Sequence, residues 1–168
     1  MKLIMMMAIT ADGIIARDRN HFSDWTCSAD KRMFKQVSQD SGVVIMGSRT
    51  YQTIGKPLPG RLNVVLTRQP QRFEPQENLL IYSGPVEELV EELARRRYEQ
   101  AVLAGGSIVN SLFLRAGLID ELLLTVSPKL FGQGLTMLSQ SVDLDLKLLD
   151  VQRIDSDSLV LRYAVQYA

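Results

Sequence analysis

Short apolar runs bounded by turn residues recur along this chain. They stand at KLIMMMAI (2–9), GVVIMG (42–47), LNVVLT (62–67), NLLIYS (78–83) and QAVLAG (100–105), and then at DELLLTVSPKL (120–130), LDLKLLDVQRI (144–154) and SLVLRYAVQY (158–167). The earlier runs are apolar at successive positions, as strands buried on both faces are. Stretches of helical pattern near 28–39, 49–54, 85–97 and 106–115 fall among them. Such alternation points to a mainly parallel sheet, because parallel strands need crossovers and the crossing helices then cover the sheet. Only the DSDS turn (155–158) separates the last two runs, which are therefore expected to pair as an antiparallel hairpin. The pattern predicts one three-layer α/β domain over residues 1–168. Its central eight-stranded sheet is mostly parallel, with an antiparallel C-terminal hairpin and helices on both faces.

At 168 residues the chain is long enough to enclose a core and a cleft. Lys plus Arg number 19 and Asp plus Glu number 19, so no net charge draws a polyanion and nucleic-acid binding is not expected. The basic ARRR (94–97) closes the stretch PVEELVEELARRRYEQ, with acids first and bases last, as the helix dipole favours on a solvated helix. Cys27 is the only cysteine, which excludes an internal disulfide and fits a reducing compartment. His21 is the only histidine and has no metal-ligand partner at useful spacing, so no metal site is expected. The apolar N-terminal run is too short to span a membrane and lacks a cleavage pattern. A buried first strand in a cytoplasmic protein is the expectation.

Two strand-to-helix junctions carry glycine, which lets a phosphate approach the backbone. The first is VIMGSRTYQTIG, where Gly47 precedes Ser48, Arg49 and Thr50; the second is VLAGGSIVNSLF, where Gly105 and Gly106 precede Ser107. Thr67 and Arg68 end a further strand. Several phosphate seats on one sheet suggest a dinucleotide, although the G-x-G-x-x-G fingerprint is absent. Asp30 opens the first helical stretch, one turn before Phe34, on a face that is otherwise apolar. Such an acid either starts a solvated helix or sits in a pocket, and the spacing alone leaves both open.

The run GVVIMGSRTYQTIGKPLPGRLNVVLTRQ (42–69) resembles the middle of dihydrofolate reductases, which show I-M-G, then x-x-T-[WY], then I-G-[RK]-P-L-P-G-R and a strand ending in L-T-R or L-S-S. AITADGIIA (8–16) looks like that family's first strand and the start of its active-site loop. DWTCSADKRMFK (24–35) resembles its P-W-x-L-P-x-D-L-x-x-F-K, with Trp25, Asp30, Phe34 and Lys35 in register. The resemblance covers residue 2 to about 135. It implies a dihydrofolate reductase-like fold and reduction of a C=N bond of dihydrofolate or a related pterin with NADPH as cofactor. It further implies that Asp30, the only carboxylate in the pocket, binds the amidine-like ring edge, supported by Trp25 and by Thr125. Phe34, Ile54 and Leu58 would wall the ring, and Arg61 would pair with a substrate carboxylate. Ala8 and Ile15 would face the nicotinamide, and Thr50, Gly105, Gly106 and Ser107 would hold the pyrophosphate. Arg49 and Arg68 would meet the 2′-phosphate, with Gly47, Leu66, Thr67 and Ile108 completing the cofactor wall.

The chain also departs from that pattern. Asn110 stands where the family has a tyrosine near the nicotinamide, FGQGLTML (131–138) replaces the G-D-T-x-F-P turn, and the prolines flanking the tryptophan loop are missing. TADGIIA and GGSIVNSLFLRAGLIDELLLTVSPKLFGQG instead resemble the riboflavin-pathway pyrimidine reductases, the reductase half of bifunctional deaminase-reductases. Those share the fold and NADPH, so the alternative substrate is a phosphorylated ribosylaminopyrimidine. Reduction of another small carbonyl or imine and a non-catalytic nucleotide or folate binder are the remaining alternatives. A small-molecule partner is expected, in a monomer or a homodimer.

Overall fold

All the predicted strands enter one sheet. The computed structural model describes residues 1–21 and 24–167. In it, β1 (Lys2–Thr10), β3 (Val43–Gly47), β4 (Leu62–Leu66), β5 (Leu79–Tyr82), β6 (Gln100–Leu103), β7 (Glu121–Ser127), β9 (Asp145–Arg153) and β10 (Leu159–Gln166) form an eight-stranded sheet in the order β5-β4-β3-β6-β1-β7-β10-β9. Every pairing from β5 to β7 is parallel. Strand β10 runs antiparallel to both β7 and β9, and the turn at 155–158 makes the expected hairpin.

The continuous apolar runs follow from burial on both sides. On one face Leu3, Met5, Val43 and Ile45 pack with Leu89 and Leu93 of α3 (Val86–Arg95) and with Val109 and Phe113 of α4 (Ser107–Arg115). On the other, Ile4, Met6, Val44 and Met46 pack with Tyr51 of α2 (Ser48–Ile54) and with Met33, Phe34 and Val37 of α1 (Ser28–Asp40). Each such side chain contributes about 1.5–3 kcal/mol on full burial, so neither face of the central strands tolerates a polar residue without a partner.

The element ends have local causes. Helix α3 carries Glu87 and Glu88 in its first turn and Arg95 in its last, and Arg97 beyond it takes a left-handed φ of 67°. Strand β7 stops at Ser127, short of the run predicted to 130, because Pro128 has no N–H for a ladder. Two strands escaped the sequence: β2 (Ile14–Ala16) and β8 (Leu135–Thr136) pair antiparallel as a separate ribbon. At two and three residues they are too short to show a period. Among the described residues, no helix is long and apolar enough to cross a membrane.

Candidate active site

Helix α1 starts at Cys27, whose backbone is extended and whose Sγ accepts the Asp30 N–H at 3.4 Å. The Asp30 carboxylate turns inward: its Oδ1 accepts a 2.6 Å hydrogen bond from Thr125 Oγ1. Thr125 is buried on β7, opposite Ala8 in the parallel β1–β7 ladder. A central strand thus supplies the hydroxyl, and the helix lying over the sheet supplies the acid. Asp30 and Phe34 line a cleft of about 800 Å³. Of the two alternatives for Asp30, the pocket holds.

Trp25 lines the same cleft, its ring edge-on to Phe131 with centroids 5.4 Å apart. Among the described residues, its buried Nε1 has no hydrogen-bond partner. A buried donor left unpaired costs about 1–3 kcal/mol, so this N–H suits a polar atom of a bound molecule. Phe131 also meets the His21 ring at 5.6 Å, and the Arg17 guanidinium stands 4.2 Å from its ring centre. The Asp12 carboxylate accepts from the N–H groups of Phe131 and Gly132, at 3.1 and 2.7 Å, and from the Thr10 hydroxyl. The Thr10 hydroxyl first, and then the Gly132 N–H, hold the Asp12 carboxyl below the usual carboxylate range. Together with the β2–β8 ribbon, these contacts tie the segment before α1 to the FGQGLTML turn.

At its other end the cleft runs over the carboxyl ends of β3, β4, β5 and β6. Gly47 at the end of β3 packs closely on α4, where a Cβ would lie 3.1 Å from Val109 Cγ2. Gly105 has φ +85°, which favours glycine, and its carbonyl accepts the Gly47 N–H at 2.8 Å, joining the two junctions. Ala8, Ile15, Gly47, Arg49, Thr50, Leu66, Thr67, Arg68, Gly106, Ser107 and Ile108 all line the cleft, as do Ile54 and Leu58. The lining gathers Arg19, Lys31, Arg49, Arg68 and Arg72 against Asp18 and Asp30, in a chain of formal net charge +0. That surplus favours an anionic ligand.

One expectation is corrected, and two residues stand apart from the cleft lining. Asp18 lines the cleft too, so Asp30 is not its only carboxylate. Gly105 is not among the lining residues; its carbonyl ties the turn to Gly47. Arg61 is not on the cleft surface either. It is 5% exposed, with Nε donating to Pro59 O at 3.1 Å and Nη1 donating to Lys35 O at 3.3 Å and to Ser38 Oγ. Burial also lowers the pKa of its guanidinium. Asn110, in the family's tyrosine position, is buried and donates from Nδ2 to Met137 O at 3.0 Å. Arg19 and Arg72 also line the cleft from segments too irregular to show a period, and Lys31 lines it from the first turn of α1. Lys31 could have been noticed as a cation beside Asp30.

Comparison with known proteins identifies the family and the fold. The family model of the RibD C-terminal domain matches residues 1–160. The chain is similar to the dihydrofolate reductase of Haemophilus influenzae, with 32% identity over 125 residues, 74% of this chain and 71% of that one. It is similar to the type 3 dihydrofolate reductase of Salmonella typhimurium, with 42% identity over 71 residues; that match spans 42% of each chain, well under two thirds of the relative's length. Among solved structures, Acinetobacter baumannii RibD superimposes with a TM-score of 0.81 at 22% identity, covering 99% of this chain and 58% of that one. Dihydrofolate reductase from Enterococcus faecalis, complexed with NADP(H) and RAB-propyl, superimposes with a TM-score of 0.74 at 22% identity, covering 99% and 97%. The chain belongs to the dihydrofolate reductase-like superfamily, and within it to the family of the RibD C-terminal domain.

Proposed function

We propose that the chain is an NADPH-dependent reductase acting on a C=N bond of dihydrofolate or a related pterin. The observation that carries this reading is the Asp30–Thr125 pair, set in the same cleft as Arg49, Arg68 and Arg72. The residues present fit the cofactor. The glycine junctions leave backbone open to a pyrophosphate, Thr50 and Ser107 offer hydroxyls, and the guanidinium forks suit a 2′-phosphate. Ala8 and Ile15 wall the nicotinamide end. When bound there, NADPH supplies the hydride.

The chain's own residues bind, orient and protonate. The Asp30 carboxylate accepts the donor-rich edge of the substrate ring in a charge-assisted pairing and favours protonation of the neighbouring ring nitrogen. Thr125 occupies Oδ1 and fixes the carboxylate plane, which leaves Oδ2 for the ring. Trp25 Nε1 is a donor for an oxygen or nitrogen of the bound molecule. Phe34, Ile54 and Leu58 exclude water, and the lower local dielectric strengthens the ionic contact.

The family match over residues 1–160 favours a second reading, reduction of a 5-amino-6-(5-phosphoribosylamino)uracil-type substrate in riboflavin biosynthesis. The test follows reduced-nicotinamide absorbance with each substrate in turn. Rapid loss with dihydrofolate and little with the pyrimidine phosphate is the expected result. Loss only with the pyrimidine phosphate moves the assignment to the second reading, and loss with neither contradicts both and leaves a binding protein.

A further inference from the structure

The cleft has a cation at its substrate end that the family pattern does not assign. Arg61 is not among the residues that line the cleft; its Nε and Nη1 donate within the protein, and Nη2 has no partner among the described residues. Lys31 is on the cleft surface instead, directly after Asp30, where the dihydrofolate reductase pattern has leucine. It is solvent-exposed and three residues before Phe34, so the two side chains are neighbours on the wall that α1 presents. Among the described residues, its ammonium makes no ion pair. The neighbouring Asp30 carboxylate already accepts from Thr125.

We propose that Lys31 is a specificity-determining residue: Asp30 holds the ring, and the Lys31 ammonium pairs with an anionic substituent carried by the same molecule. The inference rests on the reductase reading of this cleft and names the substrate class further, as a nitrogen heterocycle with a carboxylate or phosphate arm. A lysine is a mobile point charge that serves either anion, whereas a bidentate guanidinium would impose a planar geometry. Neutral heterocycles of the same shape are then poorer substrates.

The experiment compares wild type with Lys31→Met, which keeps the stem and removes the charge, and with Lys31→Arg. Two matched pairs are used: dihydrofolate against a dihydropterin without the glutamyl arm, and the ribosylaminopyrimidine 5′-phosphate against its dephosphorylated form. In the pair that is turned over, the ratio of kcat/KM for the anionic member to that for the neutral one falls about tenfold in Lys31→Met, and Lys31→Arg restores it. The pair affected says whether the anion is carboxylate or phosphate. An unchanged ratio overturns the proposal. Failure of wild type to turn over any of the four overturns the reductase reading instead. Binding of the same four, read by quenching of the single tryptophan, Trp25, then decides Lys31 separately. Tighter wild-type binding of the charged members, lost in Lys31→Met, supports it, and no difference between charged and neutral members overturns it.

Discussion

Asp30 and Thr125 are 95 positions apart in sequence and 2.6 Å apart at their oxygens. Removing the hydroxyl at constant shape isolates what that bond does. Thr125→Val is expected to lower kcat/KM by about tenfold or more, since a buried hydrogen bond to a charged group contributes about 1.5–3 kcal/mol and about 1.4 kcal/mol is tenfold. Thr125→Ser should stay close to wild type. Steady-state rates for the two variants check this, and equal losses would mean that packing rather than the hydrogen bond matters. At this scale the sequence was legible where a motif surrounded the residue. Asp30 was ambiguous from spacing alone, and the resemblance around Trp25 and Phe34 gave it a direction. The burial of Arg61 was not legible, because a side chain in a loop has no period to report its direction. The carbonyls that capture it, those of Pro59 and Lys35, belong to backbone whose path only the fold fixes.

Two turns hold the elements that build the site. Asp12 joins the segment before α1 to the turn after β7, and its carboxyl is held below the usual range. A depressed carboxyl stabilises the folded form above its ordinary pKa and loses that contribution as pH falls through the folded value. The Phe131 and Gly132 amides should therefore be protected from hydrogen exchange at neutral pH and lose protection under acid conditions. Asp12→Ala should remove it at neutral pH, and unchanged exchange would show that the aromatic cage around Phe131 suffices. The β9–β10 turn offers a parallel case. Asp155 is lowered to about 2, first by the Cys27 thiol and then by the Asp157 N–H, and its Oδ1 accepts from the Asp157 and Ser158 N–H groups at 2.8 and 2.6 Å. Its stabilisation is complete above the ordinary carboxylate value of 3.8 and is lost as pH falls from there toward 2. Urea midpoints should drop over that window in wild type and less in Asp155→Asn; identical slopes would contradict it. The DSDS turn was legible beforehand as the break between the last two strands, while the Asp12 tie was not. The sheet strands were legible, because burial on both faces leaves a continuous apolar run, whereas β2 and β8 have only a few residues each and a carboxylate capping remote N–H groups leaves no local signature.

Across the whole molecule, the strand order determines where the charge goes. The chain has equal numbers of acids and bases, yet the carboxyl ends of β3, β4, β5 and β6 open into a cleft with more cations than anions. Composition alone gave no reason to expect an anionic ligand; topology supplies it by gathering arginines from α2, from the segment after β4 and from the loop before α1. Substituting Arg49 and Arg68 together by Gln should weaken NADPH by about tenfold or more and leave NADH little changed, because only the former carries the 2′-phosphate. Equal loss for both cofactors would place those arginines elsewhere. The reductase assignment itself is tested most directly with NADPH labelled with deuterium at nicotinamide C4 and an unlabelled dihydrofolate or pyrimidine substrate. Mass spectrometry of the product should find the deuterium on the reduced ring carbon with wild type and little labelled product with Asp30→Asn. Product without label, or equal labelling with Asp30→Asn, would contradict hydride transfer in a site that depends on Asp30.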